Sequence, residues 1–139
     1  MEIKVKRLHP DAILPSYAHP GDAGLDLYSL EDCELKPGER KIFMVGFALE
    51  IPDGYVGIIK DKSGLAKNGL HTMGGVFDSG FRGEYNVGLI NVGNQPYKIE
   101  KGNKLAQLVI FPVVRAELTE AEELSDTARG MGQFGSTGK

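Results

Sequence analysis

The sequence predicts an all-β fold, a jelly-roll-like β barrel or sandwich with little helix. Three observations carry this. Strand-like apolar runs recur about every ten residues, with Gly, Pro, Asn and Asp between them. Nineteen glycines and seven prolines in 139 residues favour short elements joined by tight turns. The amphipathic helices that a parallel α/β sheet needs between its strands are missing from the pattern.

Taken in order, alternation in EIKVKRL (residues 2–8) sets Ile3 and Val5 on one face and reads as a strand. The turn KPGER (36–40) leads into KIFMVGFALEI (41–51), which reads as one longer buried strand. PDG at 52–54 breaks it, and YVGIIK (55–60) begins the next. EYNVGLINV (84–92) and KLAQLVIFPVV (104–114) are two more, and the stretch between them holds a short strand of its own. TEAEEL (119–124) has Thr119 and Glu122 at capping-box spacing, enough for one helical turn or two. There is no internal repeat and no second domain. Residues 1–125 are expected to form the barrel, and 126–139 a flexible glycine-rich C-terminal arm.

Composition narrows the classes of function. A chain 41% hydrophobic and 25% charged is neither disordered nor membranous, and 139 residues suffice for one real core. No apolar run approaches a membrane span, and the charged start MEIKVKRLHP lacks a signal-peptide core. The expectation is a soluble cytoplasmic protein with no membrane partner. The single cysteine, Cys33, excludes an internal disulfide framework and fits a reducing compartment. A net charge of −3 argues against a nucleic-acid polymer as partner, though local basic groups can hold a small phosphate ligand. His9, His19 and His71 are scattered and make no metal-ligand pattern with Cys33, so they read as ordinary surface or core histidines.

Several loops carry candidate chemistry. In DKSGLAKNG (61–69), Lys62, Ser63 and the open backbone at Gly64 can hold phosphate oxygens through charge, hydroxyl and N–H, although such turns are also common surface loops. GGVFDSGFRGE (74–84) sets Asp78 at a turn after Val76 and Phe77. An acid held at a strand end can act as general base toward water; it can equally cap its own DSG turn. In AGLDLYS (23–29), Asp26 between two leucines faces either solvent or a polar site inside. Gln107, within the apolar run of KGNKLAQLVI (101–110), needs partners for its amide. The last residues, RGMGQFGSTGK (129–139), bury too little to offset the entropy of ordering them. They nevertheless carry Arg129 for phosphate, Phe134 for a flat base, hydroxyls on Ser136 and Thr137, and glycines that let backbone N–H groups approach closely.

Each loop is a weak signal alone. Together and in order, AGLDLYS, KSGLA, GVFDSGFRGE, KGNKLAQLVI and RGMGQFGSTG resemble the five motifs of the trimeric dUTP pyrophosphatases (dUTPases), a resemblance that runs from about residue 2 to the end. It implies a jelly-roll homotrimer with active sites at subunit interfaces, hydrolysing dUTP to dUMP and pyrophosphate with Mg²⁺ on the triphosphate. Asp78 matches the acid that activates the attacking water. Ser63 and Gly64 match the phosphate-binding turn, with Lys62 beside them as a substrate-binding residue, and Gln107 matches the contact to the α-phosphate region. Asp26 matches an acid near the metal's water shell, an outer-sphere partner of Mg²⁺. Backbone groups of the hairpin around 83–87 would read uracil, so Gly75, Val76, Glu84, Tyr85 and Asn86 count among the implied substrate-binding residues. From the tail, Arg129 would grip the γ-phosphate, Phe134 would stack over uracil, and Gly135, Ser136 and Thr137 would close on the phosphates.

Two departures from that family pattern stand out. Phe81 occupies the place of the usual tyrosine; its ring can still pack under the deoxyribose and exclude a 2′-hydroxyl, without a phenol hydrogen bond. Lys62 replaces the usual arginine, keeping the charge and losing the bidentate fork. Two rivals remain. A dCTP deaminase of the same fold would carry a glutamate about ten residues after the acid, where this chain has Gly88, and Glu84 comes too early. A non-catalytic jelly-roll binding module would have no use for Asp78, the Ser-Gly turn or the tail, all of which are present.

Overall fold

The computed structural model describes residues 1–138. Eleven strands and one short helix run in the order β1 (Lys4–Arg7), β2 (Gly24–Tyr28), β3 (Cys33–Leu35), β4 (Arg40–Met44), β5 (Phe47–Glu50), β6 (Tyr55–Lys60), α1 (Ser63–Ala66), β7 (Leu70–Met73), β8 (Val76–Asp78), β9 (Asn86–Asn91), β10 (Tyr97–Ile99) and β11 (Lys104–Pro112). They pair antiparallel throughout, as a four-stranded sheet β2-β11-β6-β8, a three-stranded sheet β4-β9-β7, and the two-stranded ribbons β1-β5 and β3-β10. This is the expected all-β, jelly-roll class.

The sheets enclose one apolar core that includes Leu27, Phe43, Phe47, Ile59, Phe77, Tyr85, Leu89 and Leu108. Its aromatic centre is a stack, with the Tyr85 ring centroid 4.2 Å from that of Phe77 and 5.7 Å from that of Phe47, the planes inclined by 14° and 25°. Asn91 is the buried amide of the core rim and is fully satisfied. Its Nδ2 donates to the carbonyls of Leu35 (2.9 Å) and Gln95 (2.8 Å), and its Oδ1 accepts from Gly93 N–H (2.9 Å).

Two expectations are corrected. The run 41–51 is not one buried strand. It splits at Val45–Gly46 into β4, which joins β9, and β5, which joins β1; Ile42 and Met44 on β4 face outward. The break has a steric cause. Gly46 sits at φ 76°, and a Cβ there would lie 2.7 Å from Ala12 Cβ and 2.9 Å from His9 Cβ. The turn of helix expected at 119–124 is absent, so the Thr119/Glu122 spacing caps nothing. The helical turn in the described residues is instead α1, inside the segment read as a plain Ser-Gly turn, where Asn68 Nδ2 donates to the Gly64 carbonyl (2.8 Å). Beyond β11, residues 113–138 hold neither strand nor helix. No helix of the described chain is long and apolar enough to cross a membrane.

Candidate active site

Two constellations form, at different places on the four-stranded sheet. The first gathers where β2, β11 and β6 run side by side, because the register sets Gln107 opposite both Asp26 and Lys60. Asp26 points inward and is only 2% exposed. Its Oδ1 accepts from Lys62 Nζ at 2.5 Å, and Lys104 Nζ stands 2.6 Å from Oδ2 in an ion pair that is off the hydrogen-bonding direction. Burial pushes the Asp26 carboxyl up, but the two ammonium groups outweigh it and leave it below the ordinary range. The same pair raises Lys104. Gln107 donates through Nε2 to the Asp61 carbonyl at 2.9 Å. Its side chain lies across Gly24, where a Cβ would stand 2.8 Å from Gln107 Cδ and 2.9 Å from its Cβ. Ser63 and Gly64 follow Lys62 at the exposed start of α1, and no side chain stands within 4 Å of where a Gly64 Cβ would be.

The second constellation lies at the other end of β6, where Asp78 pairs with Val56. Asp78 is exposed, and its carboxylate takes no hydrogen bond or ion pair from the described residues; its carbonyl closes the following turn by accepting from Phe81 N–H (3.0 Å). With Val76, Ile58, Tyr55, Val113 and Arg115 it lines an open groove of about 560 Å³. The Phe81 ring packs at 5.6 Å on Phe77 and 5.8 Å on Tyr85. It folds over Gly83, where a Cβ would lie 2.6 Å from Phe81 Cζ, so a side chain there would push the ring aside.

A slot opens beside this hairpin. Strand β7 pairs with β9 only from Asn91 to Gly88, then turns away at Gly74 (φ 68°) and Gly75 (φ 100°) so that Val76 can join β6. A Cβ at Gly75 would lie 2.5 Å from Ile59 Cβ. On the opposite edge, Tyr85 N–H donates to the Phe47 carbonyl and Tyr85 C=O accepts from Val45. Antiparallel alternation then turns the N–H and C=O of Asn86 toward the slot. Tyr85, expected to take part in reading the base, is turned into the barrel. Both its backbone groups are used inside the barrel, its ring is fully buried, and burial pushes its phenol up to about 12. Glu84 is likewise engaged, its Oε1 accepting from Gly46 N–H at 2.9 Å across the β4–β5 break.

The tail stands apart from both constellations. Arg129 Nε donates to the Gly132 carbonyl (2.9 Å), Phe134 is 95% exposed, and Gly135, Ser136 and Thr137 are exposed. Beyond Arg115, which pairs with Asp53, the described hydrogen bonds of the tail are all internal to it.

The chain from residue 10 to 138 matches the dUTPase family model. The chain belongs to the dUTPase family. Its relatives include the deoxyuridine 5′-triphosphate nucleotidohydrolase of Nautilia profundicola, 50% identical over the full length of both chains. That of Thermobifida fusca is 49% identical, over 99% of this chain and 79% of the relative. Among solved structures, a point mutant of the Staphylococcus bacteriophage 80alpha dUTPase with dUpNHpp superposes with a TM-score of 0.93 at 31% identity, covering 99% of each chain. A point mutant of the phage phi11 dUTPase, described for its coordination of a structural Mg(II) ion, gives a TM-score of 0.82 at 29% identity, over 88% of this chain and 98% of that one. A dUTPase barrel also suits Gly88 on β9. A Cβ there would already stand 3.1 Å from the Met73 carbonyl, leaving little room for the glutamate a deaminase would need.

Three residues that adjoin these groups, Lys104, Gly24 and Asp61, were not singled out in the sequence. His71 was set aside for want of a nearby carboxylate, yet its Nδ1 lies 2.6 Å from Asp61 Oδ2.

Proposed function

We propose that this dUTPase hydrolyses dUTP to dUMP and pyrophosphate by in-line attack of water at the α-phosphorus, with Asp78 as the general base. The observation that carries the reading is Asp78 itself, an exposed acid with no internal partner at the end of β8, lining an open groove. Asp78 accepts a proton from water as the water oxygen bonds to the α-phosphorus. The bond to the bridging oxygen breaks and pyrophosphate leaves with that electron pair. Positioning and charge neutralisation supply most of the acceleration in such a transfer. The slot between β8 and Asn86 receives uracil, Gly75 and Val76 form its wall, and the Phe81 ring packs under the deoxyribose. Lys62, Ser63, Gly64 and Gln107 hold the phosphates.

These parts do not meet within one chain. From Lys60, opposite Gln107, to Val56, opposite Asp78, is four residues, roughly 13 Å of strand, and β11 and β8 are separated by two strand spacings, roughly 9.6 Å. The backbone separation of about 16 Å exceeds the reach of both side chains. Direct contact between them is out of reach, and following the resemblance to trimeric dUTPases we place Asp78 and the phosphate cluster that serves it on different subunits of a homotrimer. A third chain's tail closes the site with Arg129 on the γ-phosphate, Phe134 over the base, and Gly135, Ser136 and Thr137 on the phosphates.

The described residues contain no group of three or more His, Cys, Asp or Glu able to hold a metal ion. The carboxylates of Asp26 and Asp61 are both engaged by protein donors. This donor set does not fit a protein-held Mg²⁺, so Mg²⁺ enters as part of the substrate, on the triphosphate, and Asp26 serves to orient Lys62. The test is incubation with Mg²⁺ and dUTP, dCTP, dTTP or UTP separately. Pyrophosphate is expected from dUTP alone; ammonia from dCTP, or no turnover, overturns the assignment. Asp78→Asn is expected to bind nucleotide and not turn it over; a normal rate removes Asp78 as the base.

A further inference from the structure

Asp61 lies between β6 and α1, immediately before Lys62, and both its carboxylate and its carbonyl are engaged. Its Oδ1 accepts from the backbone N–H of Thr72 (2.7 Å) and from Thr72 Oγ1 (2.6 Å), while its Oδ2 meets His71 Nδ1 (2.6 Å). Its carbonyl is the acceptor that holds Gln107 Nε2. One residue thus ties the start of β7 to the end of β6 and, through its backbone, fixes the amide of Gln107 on β11.

We propose that Asp61 is a positioning residue for phosphate, a clamp whose side-chain grip on Thr72 and His71 holds its own carbonyl where Gln107 needs it and sets the direction of Lys62 and Ser63. This rests on the assignment of Lys62, Ser63 and Gln107 as the phosphate contacts. The argument is geometric. The Lys62–Gly64 turn and Gln107 share no hydrogen bond in the structure, and Asp61 adjoins the first in sequence and accepts from the second through its carbonyl. The segment 61–70 must leave β6, form one helical turn and return as β7. A carboxylate closing its base with three hydrogen bonds restricts the loop where a backbone amide alone would let it swing. Burial pushes the Asp61 carboxyl up, but the hydrogen bonds from Thr72 and His71 leave it below the ordinary range, so the clamp is anionic at neutral pH.

The test compares Asp61→Ala and Asp61→Asn with the unaltered protein. Asp61→Ala is expected to lower kcat for dUTP about 100-fold and weaken dUpNHpp binding, leaving the affinity for deoxyuridine, which has no phosphate, unchanged. Asp61→Asn keeps an oxygen for Thr72 and is expected to restore kcat to within about tenfold. If Asp61→Ala fails to fold, Thr72→Val, which removes only the hydroxyl, should show the same split on a smaller scale. Normal kcat in a folded Asp61→Ala protein overturns the proposal. Equal loss of deoxyuridine and dUpNHpp affinity also overturns it, since that reports a merely structural role. The side-chain amide NMR signal of Gln107 reads the clamp without turnover and is expected to shift in Asp61→Ala. Should the unaltered protein release no pyrophosphate from dUTP, the assigned activity fails while this signal still tests the clamp; an unmoved signal overturns the clamp alone.

Discussion

Changing Gly24 to Ala should disable the site while leaving the barrel folded, at a moderate cost in stability. Gly24 pairs with Val109, and the Gln107 side chain two residues along β11 leans across the space a side chain would fill. The added methyl would stand 2.8 Å from Gln107 Cδ and 2.9 Å from Gln107 Cβ, distances that real Cβ atoms do not tolerate, so Gln107 must move. The stability terms are small and partly opposed. Losing the Gln107–Asp61 hydrogen bond costs about 1 kcal/mol. Crowding costs about 1–3 kcal/mol. Replacing strand glycine by alanine returns about 0.5–1 kcal/mol, since Gly24 is not at positive φ. The net is a loss of about 1–3.5 kcal/mol, which a domain of ordinary stability survives. The catalytic effect is larger, because a misplacement of about 1 Å in a positioning group costs on the order of 100-fold in rate.

The assay pairs urea unfolding with steady-state pyrophosphate release, on Gly24→Ala, Gln107→Ala and the double variant. If Gly24 acts through Gln107, adding Gly24→Ala to Gln107→Ala costs little further activity, since coupled residues are not additive. Full turnover in Gly24→Ala, or losses that simply multiply in the double variant, would refute the reasoning.

Other outcomes follow from the same contacts. Asp26→Asn should cost about 1–2 kcal/mol, modest because Lys62 and Lys104 remain partly solvated. Asp26 titrates lower folded than unfolded, so its contribution is present above its unfolded value of about 3.9 and is lost as pH falls through the folded one. Acid unfolding of Asp26→Asn should therefore show a flatter limb below about pH 4, and an unchanged limb would remove Asp26 from the account. Tyr85→Phe should raise stability by about 1 kcal/mol, because the buried Oη has no protein partner; a loss measured by thermal unfolding would instead reveal a partner for that hydroxyl. Truncation after Ala128 should leave unfolding within about 0.5 kcal/mol while dUTP turnover falls sharply, and normal turnover would strip the tail of its role.

Much of the fold was legible because its cause is local. Alternation and turn residues located β1, β6, β9 and β11, and the exposure of the tail follows from its glycines and lack of apolar bulk. What stayed hidden has non-local causes. Nothing near Gly46 announces that Ala12 and His9 will crowd it, so the 41–51 run looked continuous. Asp26 could be listed as facing either way, but its orientation is decided by Lys62 and Lys104, far along the chain and brought beside it by sheet pairing. The motif resemblance marked Lys62, Ser63, Asp78 and Gln107 as functional. It could not show that Tyr85 spends its backbone on β5 and the β4–β5 break, or that Asp61 links Gln107 to β7.

The departure from arginine to lysine at residue 62 is best understood through Asp26. An exposed lysine is a flexible point charge, and loss of the guanidinium fork removes the geometry that would hold it toward phosphate. Here the geometry is supplied from beneath. A carboxylate with almost no solvent access must keep its cations or bear the cost of an unpaired buried charge, so it holds Lys62 Nζ and Lys104 Nζ close together. Two ammonium groups around one carboxylate leave a net single positive charge at the cluster, at ammonium positions already set before a triphosphate arrives. Preorganisation of this kind substitutes for the rigidity of the missing fork. It also gives an acid a place in the phosphate site we propose: without Asp26 the two lysines would repel one another and swing into water, and the cluster would lose its aim before it lost its charge.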